Sequence, residues 1–156
     1  MNKLLTSIAL IAVFVVFALG ACTPAAPASE EVARPSNPGG PGQAVNLTGD
    51  AAHGAEVFKA NCVVCHGDQG KGGVENIGSV DGTVPELNPI DPTLVSNDRK
   101  TFITNLDLFI EHGSAPEAEK EGTPTTYSML AFGDTQTLTP QDIADVIAYV
   151  MQLNGK

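Results

Sequence analysis

The chain has 156 residues, a formal net charge of −10 at pH 7, 5% aromatic residues and no tryptophan. That length suits one small domain with appendages, and the acidity argues against nucleic acid as a partner, because phosphate backbones repel it. So few aromatics imply a thin core, which small domains supplement with a metal or a covalent cofactor.

Residues 1–21 read as an export signal. Lys3 precedes an uncharged, mostly apolar run from Leu4 to Leu19, and Gly20 and Ala21 close it before Cys22. The run is short for a comfortable transmembrane span. Its ending, "LGAC", resembles the lipobox of bacterial lipoproteins, which implies cleavage before Cys22 and lipidation of that thiol. The alternative is an uncleaved anchor helix. Both readings expect the cell membrane as location, with the folded part on the outer, periplasmic or extracytoplasmic, side.

Residues 22–47 read as a tether. "TPAAPASEEVARPSNPGGPGQAVNL" holds five prolines and three glycines and shows neither helical nor strand periodicity. The folded domain is expected over 48–156.

"GDAAHGAEVFKANC" reads as its first helix, with Asp50 as N-cap and Val57 and Phe58 on the apolar face. The helix runs into "CVVCH", Cys62 to His66. Two thiols three apart on a helical turn can reach two vinyl groups on one porphyrin edge, and the adjacent His66 offers an imidazole to the iron. This is the attachment signature of a c-type haem. Export supports it: a free vicinal thiol pair would oxidise outside the cytoplasm, whereas thioether bonds remove both thiols. A thioredoxin-like pair would need a βαβ context, and a zinc site would need further ligands when the third cysteine lies in the signal.

"NDRKTFITNLDLFIEHG" reads as a second helix, capped by Asn97 or Asp98 and ended by Gly113. Phe102, Ile103, Leu106, Phe109 and Ile110 recur at helical spacing. "LTPQDIADVIAYVMQLNGK" is the third, with Thr139 as N-cap, Pro140 at the first position and Asp142 in the first turn. Its stripe is Ile143, Val146, Ile147 and Val150, and Asn154-Gly155 ends it. The intervening stretches 67–96 and 113–138 are rich in Gly and Pro and show no strand alternation, so the fold class is all-α. Such long loops expect something besides an apolar core to organise them. The segment "APEAEKEG", residues 115–122, reads as a solvated insertion.

"GAEVFKANCVVCHGDQGKGG" and "IADVIAYVMQLN" together resemble the class I cytochrome c family, from about Gly49 to Asn154. The resemblance implies three main helices and long loops wrapped around one covalent haem c. Thioethers would form at Cys62 and Cys65, His66 would be an axial ligand, and Gly54 and Phe58 would pack against Tyr149 on the last helix. The family's distal loop matches "TPTTYSMLAFGD", which makes Met129 the second axial ligand. Leu130 stands where the family often has proline, while Phe132-Gly133 are retained. The competing candidates read differently: Met151 as core packing, His53 as exposed, His112 as a helix-end imidazolium. The family also uses a proline carbonyl to orient the proximal histidine. Pro85 in "TVPEL" matches best, with Pro89 and Pro92 close by.

A closed His/Met iron suits one-electron relay and leaves no room for substrate, so no catalytic residue is expected. A haem enzyme or gas sensor would instead need an open sixth position, and a purely structural module would exchange electrons with no partner. The lipobox, the tether and the ending "AFGD…LTPQDIADVIAYVMQLN" look similar to the mono-haem lipoprotein subunit of alternative complex III, a bacterial quinol-oxidising complex of the respiratory chain. That implies membrane attachment through Cys22 and redox protein partners. A free-swinging cytochrome serving a terminal oxidase or a photosynthetic reaction centre would be built alike.

Overall fold

Thr139 begins the C-terminal helix by accepting the Asp142 N–H, while the Asp142 carboxylate accepts the Thr139 N–H at 3.0 Å. This reciprocal cap, with Pro140 at the first position, fixes the start of a helix that serves as the backbone of the fold. The computed structural model describes residues 39–77, 81–114 and 127–156. The signal, Cys22, most of the tether and the charged insertion lie outside the described residues. The helices are α1 (Ala51–Asn61), α2 (Val63–His66), α3 (Arg99–His112) and α4 (Pro140–Leu153), with 3-10 turns at Gln43–Asn46 and Asp68–Gly70. Among the described residues there is no strand, only isolated antiparallel bridges pairing Glu75 with Thr83 and Leu87 with Ile90. No helix among them is long and apolar enough to cross a membrane.

Each main helix starts where a carboxylate or hydroxyl takes an orphan N–H. Asp50 accepts from Ala52 at 2.8 Å and Asp98 from Thr101 at 2.9 Å. α3 ends as Gly113 turns left-handed at φ 68°.

α4 buries Ile143, Val146, Ile147 and Val150, and Met151 joins them in the core. Burial of each such side chain contributes about 1.5–3 kcal/mol. α1 crosses α4 at Gly54, where an added Cβ would strike the Asp145 carbonyl oxygen and sit 3.1 Å from the Tyr149 Cβ. One turn on, Phe58 meets Tyr149 edge-to-face, with ring centroids 5.4 Å apart. Asp145 locks the crossing from α4. It accepts the Asp50 N–H at 2.7 Å, the Gln141 amide at 2.8 Å and His53 Nδ1 at 2.7 Å. Burial pushes its carboxyl up, but these three donors outweigh burial and hold it below the usual carboxylate range.

On α3, Phe102 and Leu106 are buried, whereas Ile103, Phe109 and Ile110 are half-buried. The stripe therefore covers more helix surface than the protein core alone takes up.

Packed residues are also found ahead of Thr48. Ala44 is 1% exposed and belongs to the core. The Gly42 N–H donates to Asp107 Oδ2 at 2.7 Å, and His112 Nε2 lies 2.8 Å from the Gly40 carbonyl. Asp107 is wholly buried, and burial pushes its carboxyl up against the pull of the Gly42 N–H and of His112. The end of the expected tether is thus strapped across α3.

Candidate metal centre

α1 stops at Asn61, Cys62 takes φ −111° and ψ −31°, and α2 resumes at Val63. The turn stays hydrogen-bonded: the Cys62 N–H donates to the Phe58 carbonyl and the His66 N–H to the Cys62 carbonyl, both at 2.8 Å. Cys62, Cys65 and His66 are therefore presented by one rigid turn continuous with α1, itself clamped to α4. Both cysteines are half-buried and no disulfide joins them. As a thiol, Cys62 is pushed up to about 12 by burial, helped by the neighbouring Cys65. A redox-active pair needs the opposite, a lowered thiol.

His66 Nδ1 lies 3.0 Å from the Pro85 carbonyl oxygen. A carbonyl only accepts, so Nδ1 carries the proton and Nε2 keeps its lone pair. Burial pushes the His66 pKa down, against the pull of the Pro85 bond. The imidazole is thus neutral near pH 7, the form that ligates metals.

The loop bearing Pro85 is fastened twice. The Leu87 and Asn88 N–H groups donate to the Gly70 carbonyl at 2.8 and 3.0 Å. Asn154, at the end of α4, accepts the Ile90 N–H at 2.9 Å and donates to the Leu87 carbonyl at 2.8 Å. In the sequence, Asn154 reads only as a helix stop. Its partners lie 64 and 67 residues away, and no local pattern announces them.

Met129 is half-buried in the segment entering α4. Its carbonyl accepts the Ser114 N–H at 3.2 Å, and the Phe132 N–H donates to the Ile110 carbonyl at 2.9 Å. Gly113 makes this approach possible, since a Cβ there would strike the Met129 carbonyl oxygen. The rival candidates are otherwise employed. Met151 is 3% exposed within the core. His112 spends both ring nitrogens, on Asp134 at 2.9 Å and on Gly40. His53 gives Nδ1 to Asp145.

Residues 51–154 match the family model for cytochrome c. The chain belongs to the cytochrome c family. It is also 33% identical over 108 residues to the Cbb3-type cytochrome c oxidase subunit CcoP of Azospirillum sp. (strain B510), covering 67% of this chain. The cytochrome spans 31% of that relative's length. No solved structure matches it.

Among the described residues the fold is all-α, as in the class I type, and a cytochrome c domain of this kind is an electron carrier with covalent haem c. The residues present fit that group: two unlinked thiols on one turn and a neutral imidazole whose proton is fixed on Nδ1. The donors supplied by the described residues do not suit a multi-ligand metal site, since no group of three or more His, Cys, Asp or Glu among them could hold an ion.

Proposed function

We propose that this cytochrome is a membrane-tethered one-electron carrier in which Cys62 and Cys65 hold the haem, His66 and Met129 are the axial ligands and Cys22 bears the lipid. The observation that carries the site is the hydrogen bond from His66 Nδ1–H to the Pro85 carbonyl, on the turn that also presents both thiols. When bound, haem c supplies an Fe(II)/Fe(III) couple. The chain's own part is to hold ligands still. Pro85 fixes the His66 tautomer and ring plane and raises its basicity. The end of α3 holds the downstream side of the Met129 loop. With His66 and Met129 both holding the iron, no open position would remain for substrate, and the role of this chain's residues would be to hold the group for electron relay.

The likeness to an oxidase subunit favours work beside a membrane oxidase, with this domain handing electrons to a larger complex. A second reading, a subunit of a quinol-oxidising complex like alternative complex III, is favoured by the lipobox together with the terminal segment that ends in α4. In either setting the acidic surface suits a neutral or basic partner face.

Intact-mass analysis of protein extracted from membranes tests the reading. The expected mass is that of the chain from Cys22 plus a lipid and one haem. Cys62→Ala with Cys65→Ala loses the haem, and Cys22→Ser leaves the protein unlipidated. Retention of haem by the double variant after acid extraction would refute the attachment. Co-purification of oxidase or of quinol-oxidising subunits then separates the two settings.

A further inference from the structure

Asn76 is buried, at 7% exposure, in a stretch rich in Gly and Pro. Its side-chain amide faces the Tyr127 backbone as a peptide group on a neighbouring strand would. The Tyr127 N–H donates to Oδ1 at 2.9 Å, and Nδ2 donates to the Tyr127 carbonyl at 3.2 Å. Tyr127 is two residues before Met129, at most about 7 Å of extended backbone. The segment is therefore pinned on both sides of Met129. The Ile110 carbonyl on α3 holds the downstream side by accepting the Phe132 and Gly133 N–H groups, and the Ser114 N–H just beyond α3 donates to the Met129 carbonyl. Asn76 holds the upstream side.

Asn76 lies on one of two paired arms, residues 74–76 and 82–84. Its N–H donates to the Gly82 carbonyl at 2.8 Å, the Val84 N–H donates to the Val74 carbonyl at 2.8 Å, and Glu75 pairs with Thr83 between them. The returning arm ends in buried Val84, and the next residue is Pro85, whose carbonyl accepts the hydrogen bond from His66 Nδ1–H. One arm grips the Met129 segment and the other orients His66.

We infer that Asn76 is a positioning residue for the Met129 ligand, and that the paired arms 74–76 and 82–84 couple the supports of Met129 and His66. This rests on the reading above that Met129 binds the iron. A thioether is a weak, soft ligand, so protein constraint governs how often it lets go. An external ligand binds only the open state, and its apparent affinity scales with the open fraction. Loss of a buried amide pair beside Met129 raises that fraction.

The test is imidazole titration of the ferric holoprotein, followed by the near-infrared charge-transfer band of the Met–Fe(III) bond. Asn76→Asp keeps the shape and the acceptor for the Tyr127 N–H but sets a carboxylate oxygen against the Tyr127 carbonyl. Asn76→Ala removes both bonds. Both variants are expected to bind imidazole about tenfold more tightly or better, with a weakened band. Ile143→Ala, a core change on α4, controls for general destabilisation. It is expected to lower the thermal midpoint and leave imidazole affinity unchanged.

If Asn76→Ala fails to assemble, Asn76→Asp decides. Imidazole affinity within about twofold of the unmodified protein, with the band intact, overturns the inference. Met129→Ala in the same series separates the two levels. If Met129→Ala abolishes the band and the Asn76 variants leave it intact, the Asn76 inference alone fails. If Met129→Ala changes neither readout, Met129 is not a ligand and the reading beneath fails with it.

Discussion

The crossing of α1 and α4 and the loops that flank it are built on different principles. At the crossing, side chains fit by shape: Gly54 lies against the Asp145 backbone, Phe58 against Tyr149, and the Asp145 carboxylate closes the join with three donors. In the loops, fewer apolar contacts are available, and position is set by amide groups and backbone turns, namely Asn154 on Leu87 and Ile90, Asn76 on Tyr127, and Gly113 under Met129. The crossing carries the thiols and His66 on an extension of α1, so the cysteines that would attach the cofactor are tied to the clamped helix pair. The loops hold the Pro85 carbonyl that faces His66 and the segment that carries Met129.

The largest effect expected is at the crossing itself. Gly54→Val places side-chain atoms into the Asp145 backbone, which has nowhere to retreat. A loss of more than about 3 kcal/mol is expected, seen as failure to fold or a collapse of the denaturation midpoint. Asp145→Ala comes next. It strands the Asp50 N–H and the Gln141 and His53 donors, at a cost of about 2–4 kcal/mol in chemical denaturation, with the haem spectrum of the folded fraction unchanged. Asn154→Ala tests the other region. It is expected to cost about 1–2 kcal/mol and to lower hydrogen-exchange protection at Leu87, Asn88 and Ile90, while amides of α1 and α4 near Gly54 keep theirs. Equal loss of protection in both regions would erase the distinction drawn between them.

The smallest effect concerns the strap at residues 40–46. The hydrogen bond to Asp134, then that to the Gly40 carbonyl, raises His112 above the ordinary imidazole value, with Glu111 adding to it. A raised pKa in the folded state means that the contribution is full below about pH 6.5 and fades as pH rises through the folded value. Exchange at the Gly42 amide is therefore expected to accelerate on the alkaline side beyond its intrinsic pH dependence. His112→Ala removes that step, at about 1 kcal/mol. The neighbouring Asp107, whose carboxyl burial raises, loses its contribution from the ordinary carboxylate range upwards, so its window opens on the acid side of that of His112.

The helices were legible because their information is local. Asp50, Asp98 and the Thr139–Asp142 pair are caps within three residues of the groups they satisfy, and the α4 stripe repeats at helical spacing. "CVVCH" was legible because attachment chemistry dictates its spacing. The strap was not. Ala44 sits among prolines and glycines that read as tether, and Asp107, beside buried Leu106, looks like an ordinary polar helix residue until the Gly42 N–H meets it. His112 read as a helix-end charge, yet its side chain is 8% exposed and bridges Asp134 to Gly40. Asn76 and Asn154 escaped for the same reason: an amide that bonds a backbone 51 or 67 residues away leaves no trace in periodicity.

The central claim is that His66 and Met129 close the coordination of a haem attached at Cys62 and Cys65. The most direct measurement is the near-infrared spectrum of the purified ferric protein, with and without Met129→Ala. The account predicts the Met–Fe(III) charge-transfer band in the unmodified protein and its loss in the variant. Absence of the band from the unmodified protein, or its survival in Met129→Ala, would contradict the account.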